Sequence, residues 1–297
     1  MTFPDPSGRL ISRPSRASIA MRAIQPFTIV LRQSPDWTNQ TYADLEKTRE
    51  FCRMVGRPED FIIERVKLWD RTFSTGFFST RQAMKEITLE NLHSVAGATI
   101  VPIAQVKDVL DPGRFYLFID DDDWYAPDIG GHLAGADPRT CDAVVWGSAV
   151  FGRGLSLRMD RVFWTNSYAV SGTFLLQRKG NLDRVSQHFG AQGTFYGKPR
   201  SFLRRLGVRS VLRRFFVPGY RTVVALDRYC SATNKHPAST VVLESLGDNP
   251  TADDLRRLIQ EAIRANRTAA VPPEFLWAKP YMDRVNDFYT HLLGFNR

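Results

Sequence analysis

Four consecutive aspartates, Asp120 to Asp123, follow directly on the apolar run Phe115-Tyr116-Leu117-Phe118-Ile119. Unbroken apolar character over this length, entered from the turn Asp111-Pro112-Gly113, predicts a strand buried on both faces. Carboxylates crowded at the tip of such a strand disfavour one another's ionisation unless a cation or a set of hydrogen-bond donors takes up the charge. A donor set made only of oxygen suits a hard divalent ion such as magnesium, manganese or calcium. Ligands of α/β sheets bind outside the carboxyl ends of the strands, and these residues stand there. A solvated acidic turn would carry the same residues without an ion.

The segment from Ile119 to Asp128, IDDDDWYAPD, resembles the D-x-D stretch of nucleotide-sugar glycosyltransferases of the GT-A fold, most closely the family-two and rhamnosyltransferase-like enzymes. Aligned on that motif, Asp120 and Asp122 are the D-x-D pair, Asp123 follows, and Pro127 with Asp128 match the Pro-acid pair. The match is sharp from Arg114 to Asp128 and diffuse elsewhere. The resemblance implies a Rossmann-type mixed sheet flanked by helices, and transfer of a sugar from a nucleotide diphosphate donor to a hydroxyl of a glycan or lipid-linked acceptor. It implies Mn2+ or Mg2+ held by Asp122 and by a histidine beyond the motif, for which His236 is the candidate. Asp120 and Asp121 would face the nucleotide or the metal's waters, Arg32 at the end of the first strand would meet the base, and Lys235 would neutralise phosphate. The chain departs from the family in lacking a Glu-Asp pair ahead of an apolar helix to serve as base. Asp160, Asp227 and Glu244 remain as candidates, and Asp227 is preferred because it follows a strand and precedes His236.

The elements that must position these residues are legible around them. Phe27 to Leu31 predicts the first strand. Thr41-x-x-Asp44 opens a helix carrying Leu45, Thr48, Cys52 and Val55, and Pro58 opens a second carrying Ile62, Val66, Trp69 and Phe73. A third bears Met84, Ile87, Leu92 and Val95. Arg65, Lys67 and Arg71, on the polar face of the second, could approach a phosphate or simply be solvated. Ala98 to Ile103, Ala143 to Phe151, Leu155 to Trp164, Gly172 to Gln177 and Thr222 to Leu226 read as further strands, the second and third of these joined through Gly152-Arg153-Gly154. The polar and aromatic stretch Thr165-Asn166-Ser167-Tyr168 suits a loop that contacts a sugar acceptor. Thr251 caps the first of two closing helices, 251–265 and 273–293.

With 297 residues and 43% hydrophobic content the chain can hold a large α/β core. The expected division is a flexible basic arm at 1–24, a nucleotide-sugar-binding half at 25–130, an acceptor-binding half at 131–250 and closing helices at 251–297. A net charge of +9 makes the acidic run an island in a basic chain and points to anionic partners: nucleotide diphosphates, acidic glycans, lipid headgroups or nucleic acid. Cys52, Cys141 and Cys230 are widely spaced, which argues against a disulfide framework or zinc site and suits a reducing, cytoplasmic location. Lys198 to Phe216 reads as a basic amphipathic helix that meets an anionic membrane surface, which would make the protein peripheral at the inner face of the membrane. A core-packed helix with a solvated basic face and a nucleic-acid groove are the alternatives there. Two other functional classes stay open: a non-catalytic calcium- or polyanion-binding module, and a nucleotidyltransferase, although the Gly-rich phosphate loop of the latter is missing.

Overall fold

A computed structural model describes residues 2–4, 10–12, 26–32, 52, 58–158, 166–177 and 222–294. The expected basic helix at 198–216, the helix opened by Thr41 beyond Cys52, and Asp160 lie outside the described residues. In chain order the elements are β1 (Thr2–Pro4), β2 (Leu10–Ser12), β3 (Phe27–Arg32), α1 (Glu59–Thr72), α2 (Phe77–His93), β4 (Ala98–Pro102), β5 (Phe115–Asp120), β6 (Trp124–Tyr125), α3 (Ile129–Leu133), β7 (Ala143–Phe151), β8 (Leu155–Arg158), β9 (Tyr168–Ser171), α4 (Gly172–Gln177), β10 (Val223–Asn234), α5 (Thr240–Glu244), α6 (Ala252–Thr268) and α7 (Lys279–Leu292).

The strands form one mixed sheet in the order β1-β2-β10-β7-β9-β5-β3-β4, with β6 added to β10 and β8 to β7. This is the α/β, Rossmann-like architecture that the sequence predicts, with helices on the sheet and a helical C-terminal segment. β3, β4 and β5 run parallel, and β9 runs antiparallel between β5 and β7. β5 lies inside the sheet with all five of its apolar residues fully buried. Its side chains alternate between layers: Phe115, Leu117 and Ile119 join Ile129 and Leu133 of α3, whereas Tyr116 and Phe118 join Phe174 and Leu175 of α4. Burial on both faces explains why β5 reads as a continuous apolar run, each side chain contributing about 1.5–3 kcal/mol relative to exposure. A third cluster packs α1, α2, α6 and α7 against Trp124, Phe151 and Ala232 of the sheet.

Local chemistry sets the ends of these elements. Asp70 of α1 accepts a hydrogen bond from Phe77 N at 2.8 Å and so caps α2, whose preceding glycine has no side chain to do so. Thr251 and Asp254 form a reciprocal capping box on α6, as the sequence predicts. Asn91 of α2 clamps β6 by donating to Tyr125 O at 2.9 Å and accepting from Tyr125 N at 2.8 Å. Among the described residues no helix is long and apolar enough to cross a membrane.

Within residues 1–24, β1 and β2 pair with each other and β2 extends the sheet at Val223 and Val224. Three expectations need correction. Gly172 to Gln177 is helical, and the strand is the preceding Tyr168–Ser171. A Cβ on Gly172 would stand 1.9 Å from Asp111 O, so the chain bends there against the turn that leads into β5. Asn166, Ser167 and Tyr168 are buried, not an open acceptor loop. Finally, the last strand does not stop at Leu226 but runs to Asn234, with register shifts between Ala225 and Ser231 that absorb its polar middle.

Candidate metal centre

β5 delivers its terminal aspartate, Asp120, at the carboxyl edge of the sheet, level with Arg32 on the neighbouring β3. The two side chains form an ion pair, each about a quarter exposed at 25% and 21%. The chain then turns, with Asp123 N donating to Asp120 O at 3.2 Å, and re-enters the sheet as β6 on Ser231 and Ala232 of β10. Within this turn Asp120, Asp122 and Asp123 each place a carboxylate oxygen within 4.8 Å of the others. Asp121 turns elsewhere, its Oδ1 lying 3.9 Å from the guanidinium of the buried Arg81 on α2. Arg81 in turn donates to Ala238 O at 3.2 Å.

The deeper carboxylates are held by residues remote in sequence. Asp123, 2% exposed, accepts from the Asn166 amide at 3.0 Å and from Asn234 N at 2.9 Å. Asn166 also donates to Ala232 O at 3.0 Å, and its own carbonyl accepts from the Trp146 indole at 3.1 Å. This hub lets a polar, aromatic segment lie in the interior, because the side-chain amide and the backbone carbonyl of Asn166 are both hydrogen-bonded. Asp122 Oδ2 lies 3.2 Å from Nε2 of His236, whose imidazole is fully buried. The backbone bearing His236 is seated under the β7–β8 turn: Gly152 has a φ of +134°, and a Cβ on it would stand 2.0 Å from Lys235 O. That glycine is required by both its conformation and its close approach.

Electrostatics follow the same division. Burial pushes Asp123 well above the ordinary carboxylate range, reinforced by the Asp122 charge and opposed by Lys235 and the Asn234 N–H. Burial also raises Asp120, with Arg32 opposing it. Asp122 suffers the same desolvation, yet His236, Arg81 and Lys235 outweigh it and hold its carboxyl below the usual range. Three clustered carboxylates, two of them disfavoured as anions, form a set whose all-oxygen donors and surplus charge fit a hard divalent ion.

The structure gathers the acidic run that the sequence singles out and adds to it residues that the sequence does not mark. Asp122, Asp120, Arg32, Lys235 and His236 are brought to one place. Asp123, not singled out as a ligand, belongs to the carboxylate group, and its signal was its place in the same acidic run. Neither Asn166 nor Tyr289, whose hydroxyl lies 3.2 Å from His236 Nδ1, carries a local motif for this cluster. Asp227 is not brought to the cluster: it is exposed on β10, seven residues before Asn234, roughly 20 Å along an extended chain. Glu244 is exposed on α5. Arg65 is buried and donates to Gly247 O, which makes it a structural contact. The chain matches no protein-family model and no curated protein.

Proposed function

We propose that the protein is a divalent-metal-dependent glycosyltransferase that moves a sugar from a nucleotide diphosphate donor to a hydroxyl of a glycan or lipid-linked acceptor. The observation that carries this reading is the convergence of Asp120, Asp122 and Asp123 at the carboxyl end of a fully buried strand, with Arg32 against one of them. Asp120, Asp122 and Asp123 would hold Mn2+ or Mg2+, which would supply Lewis-acid stabilisation of the charge on a departing diphosphate. Asp122 is kept ionised by its neighbours, so it is ready to ligate. Asp120, paired with Arg32 on the half-open side, would meet the nucleotide, and Lys235, whose charge favours the anions of Asp122 and Asp123, would meet a phosphate. The Asn166 amide and Asn234 N–H fix Asp123 so that the turn does not reorganise as charge changes hands.

Incubation with UDP-, GDP- and dTDP-sugars in the presence of Mn2+ tests this by release of free nucleoside diphosphate. Release that depends on the metal and is lost in Asp122→Ala is the expected result. No release from any donor, with Ca2+ binding intact, would favour the non-catalytic module. Release of pyrophosphate from a nucleoside triphosphate and a sugar phosphate would favour the nucleotidyltransferase.

A further inference from the structure

The core-facing stripe of α7 runs through Met282, Val285 and Tyr289, all buried. Two of these are apolar, and a phenylalanine would fill the third position equally well, so the Tyr289 hydroxyl is a polar group that packing does not call for. It meets His236 Nδ1 at 3.2 Å and Ala238 N at 3.4 Å, while His236 Nε2 meets Asp122 Oδ2 at 3.2 Å. The roles of the hydrogens follow from the donor and acceptor inventory. A carboxylate oxygen only accepts, so Nε2 carries a hydrogen. The Ala238 N–H only donates, so it occupies a lone pair of the hydroxyl, whose own hydrogen is then directed to a bare Nδ1. An imidazolium would turn Nδ1 into a second donor and leave that hydroxyl hydrogen without an acceptor among the described residues.

We propose that Tyr289 is a positioning residue of the metal centre: its hydroxyl holds His236 as the Nε2–H tautomer, and this imidazole fixes Asp122 for the ion. His236 then acts through Asp122 as a hydrogen-bond donor and is not itself a ligand. The proposal rests on the metal-centre reading and is independent of which group the enzyme transfers. It makes the C-terminal helix, remote in sequence from the acidic run, part of the metal-binding device.

Two measurements on the full chain test it. The five histidines of the chain allow long-range proton–nitrogen NMR correlation to assign the His236 tautomer without any metal. The wild type is expected to show a single Nε2–H form, and Tyr289→Phe a mixture or the other tautomer; an imidazolium in the wild type, or an unchanged tautomer in the variant, overturns the proposal. Mn2+ titration followed by electron paramagnetic resonance supplies the second readout. Tyr289→Phe is expected to weaken Mn2+ binding by up to about tenfold, the low end of the loss that follows removal of a direct partner of a metal ligand, because Tyr289 acts one contact further out through His236. Val285→Ala, which opens a cavity on the same helix, is expected to lower stability and leave Mn2+ affinity unchanged. Equal losses in both variants would mean that Tyr289 acts only through packing. In a His236→Ala background Tyr289→Phe should add no further loss, and additive losses would likewise overturn the proposal. Should the wild type bind no Mn2+, the metal-centre reading fails on its own, while the tautomer result still decides what Tyr289 does.

Discussion

The carboxylate cluster has two unlike sides. On the outer side Asp120 meets Arg32 across adjacent parallel strands, in register, with both side chains partly open to solvent. On the inner side Asp122 and Asp123 are held by Asn166, Asn234 and His236, contributions from distant stretches of chain gathered where little solvent reaches. The outer pair, about a quarter exposed, can be exchanged for a ligand at less cost than the inner contacts, because its desolvation is incomplete. The inner contacts cannot, because breaking one leaves a buried polar group unpaired. The difference separates a face suited to receiving a partner from a frame suited to holding geometry.

Substitutions can break that contrast or sharpen it. The largest effect is expected on the inner side: Asp122→Ala should weaken Mn2+ binding by about 100-fold or more, since residues that merely support a ligand already cost about 10–100-fold; calorimetric titration with Mn2+ reads it. Next, Asp123→Ala removes the acceptor of both the Asn166 amide and the Asn234 N–H and is expected to cost about 3 kcal/mol, seen as a lower urea midpoint. Gly152→Ala should cost about 2 kcal/mol in the same assay, because the new methyl collides with Lys235 O and the backbone is left-handed. Asp123 and Asp120 are raised in the folded chain, so their contribution to stability is present at low pH and is lost as pH rises above the ordinary carboxylate range. Thermal melts in chelator should therefore fall as pH rises above the ordinary carboxylate range, and Mn2+ held by the deprotonated groups should abolish that fall. Asp122 works in the opposite sense, its contribution being lost only under strong acid. The smallest effect belongs to the outer side: Arg32→Gln is expected to change stability by less than about 1 kcal/mol and leave Mn2+ affinity intact while raising the donor's KM. A large loss of stability in Arg32→Gln would erase the distinction.

The same contrast explains what could be read in advance. β5 and its acidic tip are contiguous, and burial on both faces writes itself as an unbroken apolar run. The helices α1, α2, α6 and α7 bury one stripe each and show helical spacing. The inner frame has no such signature, since Asn166, Asn234 and Tyr289 meet the aspartates only through the fold. Their local composition misleads: Asn166-Ser167-Tyr168 resembles a surface loop because its hydrogen-bond partners lie elsewhere in the chain. The sequence predicts too short a β10 for a related reason, its Asp227-Arg228 pair looking like a loop where the strand merely bulges. Gly172 to Gln177 is too short for its period to separate helix from strand.

The acidic turn is tethered at both ends, at one by β5 in the interior of the sheet and at the other by the pairing of Trp124 and Tyr125 with β10 and the Asn91 clamp. A loop stapled in this way has almost no conformational freedom left to surrender when a cation arrives. Capture should thus proceed as fast as water leaves the ion, and deuterium uptake at the amides of Asp123 and Tyr125 should be equally slow with and without it.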